Sequence, residues 1–162
     1  MGSRRAQIRF TDEEADAFLL EERTVTCATV GREGSPHLMP LWYVLRPTGP
    51  EGRNEIWAWT FARSQKVKNI ERDPRVTLQV EAGEVYEQLR GIMIECEAVL
   101  HREPDDVLAL GIEIVTRYTP DASELPDGAV EMLRAQAAKR VALQFTEVRR
   151  ASWDHRKLGG VY

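Results

Sequence analysis

Histidine and cysteine are scarce in this chain: three and two residues among 162. Neither recurs at a spacing that holds a metal ion, so no metal site is expected. Cys27 and Cys96 both fall in strand-like segments and read as buried thiols rather than a disulfide. Apolar runs stay far below the roughly 18 residues that cross a bilayer, which argues against a membrane protein. The start, MGSRRAQIRF, has no apolar signal core, so a cytoplasmic protein is expected. A surplus of positive charge is lacking too. The net charge is −4 and the pI about 5.5, which argues against a nucleic-acid partner. Internal repeats and low-complexity blocks are absent. What remains is an ordinary globular composition, 43% hydrophobic and 30% charged, expected to form one domain over residues 1–162 with extended tails at 1–10 and 149–162.

Against this acidic background one segment stands out. Ala62–Val80 (ARSQKVKNIERDPRVTLQV) carries Arg63, Lys66, Lys68, Arg72 and Arg75 against Glu71 and Asp73, a local charge of +3. Ser64 is placed to cap a short helix anchored by Val67 and Ile70, and Asp73-Pro74 stops it. Cations at a helix N-terminus oppose the macrodipole unless an anion also binds there, and the free N–H groups at that end want an acceptor. The segment therefore reads as a cradle for phosphate or carboxylate. The plain alternative is a solvated basic face. Lys66 and Asn69, three apart on one helix face, weigh against it.

The remaining pattern is mixed. Thr11 and Glu14 have the spacing of a capping box that opens a helix ending near Glu22. Strands are expected at 23–30, 36–45, 55–61, 75–81, 89–100 and 141–148. Pro40 confines the second of these to an edge or a bulge. Pro104–Tyr118 has helical periodicity, Glu131–Ala138 reads as a shorter helix, and Thr119–Gly128 as a loop. Six strands with short helices between them predict an α+β fold built round a small antiparallel barrel.

Three motifs go further: Gly34-Ser35-Pro36-His37, the run Ser64–Asn69, and Asp73-Pro74-Arg75-Val76. With the strands around them, over about residues 24–100, they resemble the pyridoxamine-5'-phosphate-oxidase-like split β-barrel family and, within it, the flavin/deazaflavin (F420)-dependent oxidoreductase branch. The resemblance implies a six-stranded antiparallel split barrel (an FMN-binding split barrel) and a homodimer with the cofactor at the subunit interface. It implies that Arg63, Ser64, Lys66, Lys68 and Asn69 meet the cofactor phosphate. It further implies that Met39, Pro40, Leu41 and Trp42 lie along the ring and that Thr60 ends the preceding strand beside it. FMN-binding oxidases of the family usually carry an arginine on the strand that corresponds to Pro36–Leu45; none is present here. That departure favours coenzyme F420, with FMN the alternative cofactor.

The expected reaction is hydride transfer from reduced deazaflavin to a small unsaturated or quinone-like molecule. The alternatives are an FMN-binding oxidase or reductase and a non-catalytic F420/flavin carrier. Because the cofactor performs the chemistry, no protein nucleophile is required. His37 is the nearest candidate proton donor, set against the plainer reading of a half-exposed strand histidine. Trp42, Trp57, Trp59 and Tyr86 could stack on a ring, although aromatics in strands are more often core or interface.

Overall fold

Two long strands do most of the work of closing the sheet. The computed structural model describes residues 3–119, 125–126 and 128–159. In it β6 (Arg90–His101) and β7 (Arg140–Asp154) pair along nearly their whole length. The first half of β7 also pairs with β4 (Glu55–Phe61), so Phe145 faces Ile56 on one side and Ala98 on the other. A bulge opposite the Glu95–Cys96 step leaves Val148 unpaired and bends the ladder. The other strands are β1 (Val25–Val30), β2 (Pro36–Leu41), β3 (Val44–Arg46) and β5 (Arg75–Ala82). The order is β2-β1-β5-β6-β7-β4-β3, antiparallel throughout, in a curled half-barrel with short helices at its margins.

Seven strands replace the expected six because the segment 36–45 does not run through. It breaks at Trp42-Tyr43 for a reason that lies elsewhere in the chain. Tyr43 turns inward and is fully buried, its hydroxyl donating to the carbonyls of Leu19 and Glu22. Its backbone N–H donates to the Tyr118 hydroxyl, and its carbonyl accepts from the Arg117 guanidinium at 2.6 Å. Side chains of α4 (Pro104–Tyr118) thus replace the ladder bonds that a continuous strand would supply. Arg117 also donates to the carbonyls of Leu19, Leu20 and Glu22, closing the end of α2 (Asp12–Glu21). Pro40 sits where its missing N–H is tolerated, since β2 is an edge strand.

The C-terminal strand is longer than expected. Residues 149–154, read from the sequence as the start of a tail, continue β7, and His155–Leu158 form a 3-10 turn. At the other end α1 (Arg4–Gln7) occupies part of the expected N-terminal tail. Most of the expected loop Thr119–Gly128, and the last three residues, lie outside the described residues.

Two apolar layers flank the sheet. Inside the curl, Val25, Cys27, Leu78, Ile92, Ile94 and Phe145 pack with Phe18 and Leu19 of α2 and with Val67 and Ile70 of α3 (Gln65–Arg72). An isolated helix as short as α3 is unstable in water. Burying Val67 and Ile70, each worth about 1.5–3 kcal/mol, holds it in place. On the other face Val107, Leu110 and Ile114 of α4, with Leu133 of α5 (Ala129–Ala137), cover Trp57 and Ala142.

Candidate functional site

Where β2 ends, β4 ends and α4 crosses, a groove of about 450 Å³ opens. Pro40, Leu41, Trp42, Trp59, Ile114 and Val115 line it with apolar surface, and Thr60, Lys66 and Arg140 supply the polar atoms. Its walls are set by the fold. Trp42 stacks on Tyr118 with ring centroids 4.5 Å apart, so the inward turn of Tyr43 leaves its neighbour facing out. Trp59 alternates with the core-facing Ala58 and Thr60 and lies over Gly111 of α4.

The charges in the groove are unusual. Lys66 is only 7% exposed, and its Nζ donates to Thr60 Oγ1 at 3.0 Å. An ammonium has further donors to satisfy. Burial holds it below its usual pKa, with the Cys27 thiol nearby acting in the opposite sense. The Arg140 guanidinium lies 4.5 Å from the Trp59 ring centre and 4.2 Å from that of Phe61. Burial lowers its pKa as well, and its Nε is buried without a partner. Among the described residues no carboxylate pairs with Lys66 or Arg140, and none lines the groove. Flat aromatic walls ending in two uncompensated cations suit a ring that carries an anionic substituent.

The sequence-derived candidates divide. Pro40, Leu41, Trp42, Thr60 and Lys66 come together in the groove. Ser64 stands at the N-cap of α3 without capping it; its Oγ is buried without a partner among the described residues, and the residue lies outside the groove lining. Asn69 is fully buried. Its Nδ2 donates to Thr29 Oγ1 at 3.0 Å and its Oδ1 accepts from Gln65, so the side chain ties α3 to β1. Arg63 and Lys68 are exposed outside the groove, and Met39 lies outside it on β2 opposite Cys27. His37 is half-buried on β2, also outside the groove, with its Nδ1 unpaired. Arg72 donates to the Val30 carbonyl and Arg75 forks onto Asp73, so both serve structure. A larger cavity of about 640 Å³ lies over β1, β5 and β6. Its charges are mixed, and its one cation, Arg75, is already paired.

Sequence reasoning missed Arg140, Ile114 and Val115. Arg140 gave no local signal: it is a single arginine at the start of a strand, far along the chain from the basic segment.

A curled antiparallel half-barrel with an aromatic, cation-ended groove beside its edge strand defines a split-barrel protein. The family model described as pyridoxamine 5'-phosphate oxidase matches residues 11–150, and the chain belongs to that family. A conserved hypothetical protein from Mycobacterium tuberculosis is 37% identical, with 99% of this chain and 95% of that one covered and a TM-score of 0.84. An F420 reductase is similar in fold at 19% identity, covering 84% and 94%, with a TM-score of 0.61. An FAD-binding protein from Mesorhizobium loti is 12% identical, covering 88% and 92%, with a TM-score of 0.60. No curated protein matches by sequence. Among the described residues no helix is long and apolar enough to cross a membrane.

Proposed function

We propose that the groove binds coenzyme F420 and that the protein is a reductase passing hydride from the reduced deazaflavin to a small unsaturated or quinone-like molecule. One observation carries this reading: an apolar, aromatic groove closes on a buried lysine that has no carboxylate partner among the described residues. When bound, the cofactor supplies the hydride. The chain's own residues bind and orient. Lys66 offers donors to the phosphate. Pro40, Leu41, Trp42 and Trp59 flank the ring. A second copy of the chain completes the site in this reading. The edge strand β2 leaves Leu38 and Met39 exposed at 55% and 42%, and Trp42 beyond it at 55%, an apolar strip suited to a homodimer.

FMN is the second reading, favoured by one observation. Arg140 supplies from β7 the guanidinium that β2 lacks.

Titration of the purified protein with F420 and with FMN, followed by tryptophan quenching, separates the readings. Micromolar binding of F420 with none of FMN is expected. A yellow protein carrying FMN from the host would sink the F420 reading in favour of the second. Tight F420 binding without turnover of any acceptor would instead mark a carrier.

A further inference from the structure

We infer that Arg140 is an anion-binding residue of the groove, its guanidinium meeting phosphate oxygens of the ring cofactor alongside Lys66. This role rests on the groove holding such a cofactor, and it adds a residue that neither the basic segment nor its motifs contain.

Its position explains why it is available. Arg140 opens β7 directly opposite Phe61, the last residue of β4. The ladder therefore carries its side chain beside the end of the strand that also bears Thr60. The guanidinium carbon lies over the rings of Trp59 and Phe61, and these contacts hold the group beside the groove. Of its several donors, one Nη meets Gln136 Oε1 at 3.2 Å, while Nε is buried with no acceptor. A charge that is partly out of water and unpaired is costly, and burial already works against this one. A ligand oxyanion accepting from the Nη donors that Gln136 leaves over offsets that cost, and a planar guanidinium is well shaped for it.

Charge matching points the same way. A phosphate monoester carries about −1.5 to −2 at neutral pH, which one ammonium does not neutralise. Lys66 and Arg140 together do. A phosphodiester, as in F420, carries a single charge and leaves part of that capacity unused. Phosphate is the shared chemistry of both cofactors, and its two forms can be told apart by experiment.

The test compares wild-type protein with Arg140→Met and Arg140→Lys for binding of FMN, riboflavin and F420, with thermal melting as the check on folding. Arg140→Met should lose roughly tenfold or more in FMN affinity, less in F420 affinity and nothing for riboflavin, which lacks the phosphate. Arg140→Lys should recover part of the loss. A folded Arg140→Met that binds FMN and F420 as well as wild type overturns the assignment. So does an equal loss for riboflavin, which would mean that the arginine only shapes the ring site. If Arg140→Met does not fold, Arg140→Lys decides by the FMN-to-riboflavin ratio. Should wild type bind none of the three, the cofactor reading fails on its own. Inorganic pyrophosphate then tests Arg140 separately, by salt-sensitive tryptophan quenching. Quenching lost in Arg140→Met or weakened in Arg140→Lys supports an anion site, and its absence in wild type overturns it.

Discussion

Gly111 and Trp59 pack so closely that a Cβ on the glycine would stand 2.5 Å from Cζ3 of the indole. Gly111 lies inside α4, where glycine costs about 1 kcal/mol relative to alanine. On propensity alone, Gly111→Ala should stabilise the protein. Overpacking works the other way, typically by about 1–3 kcal/mol, and here the neighbour is a large ring that Arg140 also contacts. Overpacking should win. Gly111→Ala is expected to lower the melting temperature and, because Trp59 walls the groove, to weaken cofactor binding. Melting curves and the tryptophan-quenching titration check both. A variant more stable than wild type would mean that the indole has room to move.

Lys66 should show opposite signs for stability and binding. Its ammonium is buried with a pKa below the usual 10.5, so folding is opposed by the cost of holding that charge. Between the depressed folded value and 10.5 the unfolded state binds more protons, so stability rises with pH through that window. Lys66→Met should remove this rise and leave the ligand-free protein more stable than wild type near neutral pH. The same variant should lose about 1.5–3 kcal/mol of phosphate-cofactor binding, the cost of a charge-assisted contact. Urea unfolding across pH, together with cofactor titration, reads both effects. Unchanged affinity would remove Lys66 from the phosphate site.

Much of the architecture follows from local pattern. Thr11 and Glu14 exchange both bonds of the capping box, and β4 and α4 occupy the spans that alternation and helical periodicity indicate. The departures have causes remote in sequence. Nothing near Tyr43 announces that Arg117 and Tyr118 will take over its backbone groups. Residues 149–154 look polar because the strand they form is stitched to β6 partly by charge, with Arg149 forked onto Glu95, rather than by an apolar face. The groove was half legible. The basic segment announced Lys66, but Arg140 reaches it only through the β4–β7 register. Part of that segment's charge, Arg72 and Arg75, is spent on structure.

The two thiols should be inert in the native protein. Both are buried among the core strands, and burial pushes the Cys27 thiol up to about 12 and that of Cys96 upward as well. Reactivity needs thiolate and access, and neither is supplied. A chromogenic thiol reagent at mildly alkaline pH should release almost no signal from folded protein and two equivalents after denaturation. Fast labelling of folded protein would contradict the packing of β1 against β5 and β6.

Acid should weaken the protein partly through Asp73. Its carboxylate accepts from the Arg75 side chain at 2.9 and 2.6 Å and from the Arg75 backbone N–H at 3.1 Å. The guanidinium fork is the leading cause and the backbone bond the next, and together they pull the pKa from 3.8 down to about 2. The folded state thus binds fewer protons than the unfolded one across that interval. The stabilisation is complete above 3.8 and is lost as pH falls toward 2. Asp73→Asn should therefore be less stable than wild type at neutral pH, and the two should converge near pH 2. Arg75 is exposed to solvent and Asp73 half-buried, so the difference should be small and should shrink further in high salt. Urea midpoints at several pH values and two ionic strengths measure it. A gap that persists unchanged at low pH would assign the effect to the helix stop at Asp73-Pro74 instead of to the ion pair.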